Sequence, residues 1–401
     1  MQFTLHNARL VDAGQDRINT TITINDSRIH TVNHSEQSQT SAEANNAVRQ
    51  IDATDMIVTP GFIEVHTHGG GGYNLHTTDE EEIQKYIQWI PSTGVTSFLV
   101  TVVGIPGAVP EAQLQTAVEA IRHARLGAEP VGIFLEGPYI DEKKRGAHQI
   151  PWLRHPDEQE TARILELTQG ELRLITIAPE LAGAATMMRQ LLDAGVTVSI
   201  GHTDATYEQA QESIQQGITH MTHCFNAMRP LLHRDPGPLA AVAQAPHVRG
   251  ELIADGVHVH PAMMDLLITK ILGPQRTVIV TDALAGAGIE NAEFEFAGQI
   301  AKVICGAARL SDGTITGSVL TMKGALLNVL KYTQVSLQEA VGMLSLNPAK
   351  SIKLDTRKGL IQPGYDADLL LFDKELNLQA TICRGKVTFA TDAWNERLAG
   401  L

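Results

Sequence analysis

Cysteine is scarce: Cys224, Cys305 and Cys383 are the only three in 401 residues, and they are widely separated. Without a Cys-X-X-Cys pair there is no zinc knuckle, and three isolated thiols build no disulfide framework, which fits a reducing compartment. Basic residues are outnumbered: 31 Lys and Arg stand against 45 Asp and Glu, a formal charge of −14. That balance argues against the basic face of a nucleic-acid binder, although one Arg or Lys in a cleft can still hold a small anion. No run approaches the roughly 20 apolar residues of a membrane span. The segment Met1-Gln2-Phe3-Thr4-Leu5-His6 lacks the basic start and apolar core of a secretory signal. Hydrophobic residues still make up 43% of the chain, enough for a large core, and the length exceeds what a lone β/α barrel usually needs. A cytoplasmic enzyme with no nucleic-acid or membrane partner is the expected class.

Both chain ends read as β structure. Phe3–Leu10 and Thr20–Ile24 alternate or carry β-branched residues, Asn25-Asp26-Ser27 is a turn, and the polar residues 35–48 should form an exposed loop. Asp368–Phe372 and Gln379–Phe389, the latter around an Arg384-Gly385 turn, repeat that character near the C-terminus. We therefore expect residues 1–58 and 355–401 to build one small β-sandwich domain flanking residues 59–354. In that middle part, eight apolar strand candidates follow one another: Phe62–His66, Thr96–Thr101, Val131–Glu136, Arg173–Ile177, Thr197–Gly201, Thr219–His223, Glu251–Ala254 and Thr277–Thr281. Helical patterns lie between most of them, at Glu80–Ser92, Ala112–Leu126, Pro156–Thr168, Thr186–Ala194 and Thr206–Gln216. Gly94-Val95, Gly195-Val196 and Gly217-Ile218 each supply a left-handed helix stop and a branched strand start. Eight such units predict an α/β fold of the (β/α)8 TIM-like type. A doubly wound open sheet competes, but it usually carries a Gly-rich phosphate loop after its first strand. That position here holds His66-Thr67-His68.

In an extended strand His66 and His68 project from one face, and neutral imidazoles suit Zn, Fe, Mn or Co. Barrel chemistry sits at the C-terminal strand ends, and those ends carry His66 and His68, Glu136, His202, His223 and Asp282. Singly, each has a bland explanation: a hydrogen-bonded structural His, a Glu paired with an Arg, an Asp capping a helix. Six such residues at matching ends are not explained by packing, and a carboxylate such as Glu136 can bridge two metals about 3.5–4 Å apart. Two ambiguities remain. His220 competes with His223, which lies nearer the strand end, the two pointing to opposite faces, and His260 competes with His258.

These residues sit in motifs that resemble the amidohydrolase superfamily and, within it, the N-acetylglucosamine-6-phosphate deacetylases. The motifs are Phe134-Leu135-Glu136-Gly137-Pro138, Lys144-Arg145-Gly146-Ala147-His148, Gly201-His202-Thr203, His223 to Met228, Arg234 to Gly237, Asp255 to Val259, Thr281-Asp282-Ala283 and Thr316-Gly317-Ser318. The resemblance spans essentially the whole chain. It implies a metal-dependent hydrolysis of the N-acetyl amide of N-acetylglucosamine 6-phosphate, releasing acetate. It favours His223 and His258 over their rivals. It implies Glu136, His202 and His223 as the central metal site, with His66 and His68 available to a second and Asp282 also among the metal residues, so that one or two divalent metals (Zn or Fe before Mn, Co or Ni) are expected. Asp282 is implied as general base and His258 as a carbonyl contact. His148 and Ala147 are implied at the sugar, Asn226, Ala227 and Arg234 at the phosphate, and Ile315, Thr316, Gly317 and Ser318 along the sugar pocket. A homodimer is implied, because the phosphate Arg can reach across the interface. Lys143, Lys144 and Arg145 read as solvated, and Arg229 stands where the family more usually has a small residue or Pro. A cyclic amidase is disfavoured, since Leu174-Ile175-Thr176-Ile177-Ala178-Pro179 offers no metal-bridging Lys. A deacetylase of N-acetylgalactosamine 6-phosphate and a metal-free interaction barrel remain as alternatives.

Overall fold

Eight parallel strands in chain order form the central sheet of the computed structural model: Phe62–Glu64, Val95–Val103, Glu129–Glu136, Leu172–Ile177, Thr197–Ile200, His220–Met221, Arg249–Ile253 and Thr277–Val280. The structure describes residues 2–34, 49–289, 293–296, 299–304 and 306–400. The polar stretch 35–48 and Cys305 lie outside them. Between strands eight and one, three groups complete the ring. Asp282 N donates to His66 O (2.9 Å) and His68 N to Ala283 O (2.7 Å). The buried Glu64 carboxylate accepts the N–H groups of His66 (3.0 Å) and Thr281 (3.1 Å). This is the expected (β/α)8 barrel. Ile63, Val65, Leu99, Phe134, Leu174, Ile253, Val278 and Val280 share one buried cluster, with the branched and bulky residues such a ring requires.

The helices start and stop for local reasons. Thr206 and Gln209 form a capping box at Tyr207–Gln215. At the end of Ala184–Asp193, Gly195 (φ +82°) lets its own N–H reach Leu192 O and the Val196 N–H reach Leu191 O, which turns the chain into strand five. Glu111–Arg122 stops short of the expected Leu126, which is 57% exposed. After strand eight comes an antiparallel four-stranded insertion, Glu293–Phe296, Gln299–Ile304, Ala307–Arg309 and Ile315–Ser318. Residues 315–318 are its last strand.

Both chain ends contribute to a second eight-stranded sheet, in which Ile57–Pro60 pairs antiparallel with Leu369–Phe372. Phe3, Leu5, Leu10, Ile22, Val58, Leu369 and Ile382 share its core. Lys358, 1% exposed, ties this unit to the barrel through Asp368 (2.6 Å), Glu129 (2.7 Å) and Asp366 (2.9 Å). Burial works against the Glu129 carboxylate, but Lys358 and Arg357 outweigh it and hold its pKa at about 2. Its stabilisation is therefore complete above the unfolded value of 4.5 and is lost as pH falls through about 2. Lys358→Met leaves the buried Asp366 and Asp368 and the part-buried Glu129 short of a cation and should cost about 3 kcal/mol or more in urea unfolding at neutral pH. Unchanged stability would contradict the role given to this network.

Candidate active site

The C-terminal ends of the barrel strands open on one face, and the residues there leave extended geometry abruptly. His202 (φ +47°), His223 (φ +27°) and Asp282 (φ +47°) are all left-handed. For non-glycine residues this conformation costs about 1 kcal/mol or more, and the strain is concentrated where side chains must turn into the barrel mouth. Strand six ends at Met221, so period-two alternation does not extend to His223. His220 and His223 consequently both reach the barrel interior, which corrects the expectation of opposite faces.

The side chains converge on Glu136. Its Oε1 lies 3.1 Å from His202 Nε2 and 3.3 Å from His223 Nε2, and those two nitrogens are 3.0 Å apart. Tetrahedral zinc with bonds of about 2.0–2.1 Å puts its ligand atoms roughly 3.3 Å from one another. On the other side, Asp282 Oδ1 lies 3.4 Å from His66 Nε2 and 3.1 Å from His68 Nε2. Glu136 Oε2 is 3.2 Å from His68 Nε2 and 3.5 Å from His148 Nε2. Two groups have ligand atoms within 4.8 Å of one another: His66, His68 and Asp282, and Glu136, His148 and His202. His223 lies closer to Glu136 and His202 than His148 does, so it is the better third donor on that side.

The donor set fits a divalent cation. The Lys144 carbonyl accepts a hydrogen bond from His202 Nδ1–H (2.8 Å), and the Glu251 carboxylate accepts one from His66 Nδ1–H (2.8 Å). With Nδ1 bonded in this way, Nε2 is the atom each ring turns toward the carboxylates and would offer to a cation. His66 Nε2 and Asp282 Oδ1 are buried without a hydrogen-bond partner among the described residues. Burial disfavours charge on Glu136 and Asp282, yet His66 and its neighbours hold both carboxyls below their usual range. Against the same desolvation, Glu251, Asp282 and Glu136 raise His66, and Asp282 and Glu136 raise His68 to about 9. Protons thus balance the cluster, and the same nitrogens and oxygens suit zinc or iron.

A cavity of about 190 Å³ opens onto this cluster, lined by His68, Glu136, Ala147, His148, His202, His223, Asn226, Ala227, His258, Asp282, Ile315, Thr316 and Gly317. His66 lies beneath it, against the Phe134 ring at 4.8 Å. Gly146 (φ +58°) brings the preceding loop over His202, where a Cβ would stand 3.3 Å from the ring. His258 donates Nδ1–H to Asp255 (2.6 Å), whereas His260 caps the helix Pro261–Leu266 outside the site. Besides His66, two expected residues do not line the cavity. Ser318 is buried and donates to Thr281 O, and Arg234 sits on an exposed loop. Arg229, the departure noted above, pins that loop through Asp235 (2.9 Å) and Asp204 O (2.9 Å).

The sequence pattern of the amidohydrolase family matches residues 57–388. The chain belongs to the amidohydrolase family. This amidohydrolase is 33% identical over 372 residues to the N-acetylglucosamine-6-phosphate deacetylase of Bacillus subtilis (strain 168), covering 91% of this chain and 92% of that one. It is 32% identical over 331 residues to the N-acetylgalactosamine-6-phosphate deacetylase of Escherichia coli O157:H7, covering 82% and 87%. Its fold matches a mutant N-acetyl-D-glucosamine-6-phosphate deacetylase from Mycobacterium smegmatis, in complex with N-acetyl-D-glucosamine-6-phosphate, with a TM-score of 0.87 at 31% identity, covering 97% and 100%. Among the described residues no helix is long and apolar enough to cross a membrane.

Sequence reasoning missed three carboxylates of this amidohydrolase: Glu64, Glu251 and Asp255. Their signal was available for the first two. An acid inside an apolar strand run is buried, and a buried carboxylate must have partners.

Proposed function

We propose that this amidohydrolase cleaves the N-acetyl amide of N-acetyl-D-glucosamine 6-phosphate, yielding acetate and D-glucosamine 6-phosphate. The observation that carries this reading is the convergence of the Glu136, His202 and His223 donors, the buried Asp282 carboxylate and the flanks Ala147–His148 and Ile315–Gly317 on one cavity. A divalent cation held by Glu136, His202 and His223, with a second position at His66, His68 and Asp282, would polarise the acetyl carbonyl and acidify the attacking water towards a pKa of about 7. Zinc or iron suits these donors best; manganese, cobalt or nickel can occupy them. Asp282 takes the proton of the attacking water and returns it to the leaving amine, the transfer that makes C–N cleavage feasible at neutral pH. His258, oriented by Asp255, meets the carbonyl oxygen as negative charge develops there. His148 and the Ala147 backbone contact sugar hydroxyls, and Asn226 with the Ala227 backbone meets the phosphate.

Arg234 supports a homodimer. It is exposed and off its own cavity, so the partner's Arg234 completes the phosphate site. Cys224 and Cys383, both free and buried, suit a cytoplasmic enzyme. A preference for N-acetylgalactosamine 6-phosphate is the second reading, favoured by the Escherichia coli relative. Parallel assays of both sugar phosphates and of unphosphorylated N-acetylglucosamine decide between them. Glucosamine-configured phosphate should have the highest kcat/KM, and a reversed order contradicts the assignment. Arg234→Ala should raise KM for the phosphorylated sugar about 10- to 100-fold with kcat nearly unchanged. An equal effect on the unphosphorylated sugar would remove the phosphate contact.

A further inference from the structure

Glu251 lies on barrel strand seven with no exposed side-chain surface. Its carboxylate meets three donors from two other strands. Oε2 accepts His66 Nδ1–H (2.8 Å) and the His223 backbone N–H (3.1 Å), while Oε1 accepts His220 Nε2–H (3.0 Å). A carboxylate can only accept, so the proton on each ring is fixed. His66 keeps its hydrogen on Nδ1 and turns Nε2 into the cluster, with the Phe134 ring packed edge-on against it at 4.8 Å. The same oxygen holds the backbone of His223 where it breaks from strand geometry.

We infer that Glu251 is the positioning residue for both halves of the metal cluster, through the ring of His66 on one side and the main chain of His223 on the other. His220 holds Glu251 from the third side, and so has a role although it faces no ligand position. Glu64 accepts the main-chain N–H groups of His66 and Thr281 and also reaches the Thr281 side chain; bonded to no imidazole nitrogen in these contacts, it does not choose the ring proton. The inference rests on the metal reading proposed above.

Two variants of the full-length chain test it. Glu251→Leu removes all three acceptors. Glu251→Gln keeps one oxygen, and the His223 N–H, which cannot change its donor character, forces that oxygen to face His223 and His66. The amide –NH₂ then faces His220, whose proton must move from Nε2 to Nδ1. Ring protons are read by ¹H–¹⁵N correlation on histidine-labelled, metal-free protein, and Zn²⁺ affinity by competition with a chelator. The wild type should show an exchange-protected His66 Nδ1–H. Glu251→Gln should keep it, switch the His220 proton and weaken zinc about 10-fold. Glu251→Leu should lose it and weaken zinc about 100-fold. Zinc binding by Glu251→Leu at wild-type affinity overturns the inference. So does loss of the His66 Nδ1–H, or an unswitched His220, in Glu251→Gln, an arm that stands even if the Leu variant fails to fold. Failure of the wild type to bind zinc would instead overturn the metal reading, because the ring-proton result is obtained without metal.

Discussion

Asp282→Asn is expected to lower kcat for acetate release by about 1,000-fold or more, towards the upper end of what a positioned base contributes. The residue is locked in place: its N–H bonds His66 O (2.9 Å) and its C=O accepts the Ser318 N–H (2.8 Å). The side chain is buried, and Oδ1 has no hydrogen-bond partner among the described residues. Asparagine has nearly the same shape and tolerates the left-handed backbone, so the fold and the Glu136, His202 and His223 donors remain. What disappears is the basic lone pair. Metal bound at that triad should be retained, while occupancy at His66 and His68 falls because Asp282 is their carboxylate. An Asn variant within about tenfold of wild-type turnover would contradict the assignment of the base.

Glu136→Ala is expected to be as damaging by a different route. Five imidazoles lie within 3.5 Å of this carboxylate: His66, His68, His148, His202 and His223. Removing its charge leaves neutral rings and Asp282 alone to hold a divalent cation, and it removes the one group shared by the two donor sets. The purified variant should carry less than a tenth of the wild-type metal after dialysis, and its activity should fall at least about 1,000-fold. Metal analysis and acetate release on the same preparation check both statements. A stoichiometric metal content in Glu136→Ala would contradict them.

The barrel was legible because its strands are apolar runs such as Val131 to Leu135 and Val278 to Val280, each ended by a polar residue at the mouth. The candidate ligands were legible jointly: one histidine or acid directly after such a run has a bland explanation, but six at matching strand ends do not. Three things were hidden. The relation of His220 to His223 depends on a strand that stops at Met221, which alternation cannot reveal. The insertion at Glu293–Ser318 is built of short antiparallel strands with partly exposed faces, including Ile300 and Ile304, and has no clear period. Glu64 and Glu251 were counted as strand residues because their partners come from other strands, and only the closed ring brings those partners within reach.

The central claim is that a metal cluster at the barrel mouth drives amide hydrolysis of a phosphorylated amino sugar. Its most direct test is the release of acetate and amino sugar from N-acetyl-D-glucosamine 6-phosphate by one preparation assayed as isolated, after chelation and after zinc is restored. The account predicts equimolar products, at least one metal per chain, activity lost on chelation and activity regained with zinc. Full turnover by protein shown to be metal-free, or no acetate from fully metallated protein, would contradict it.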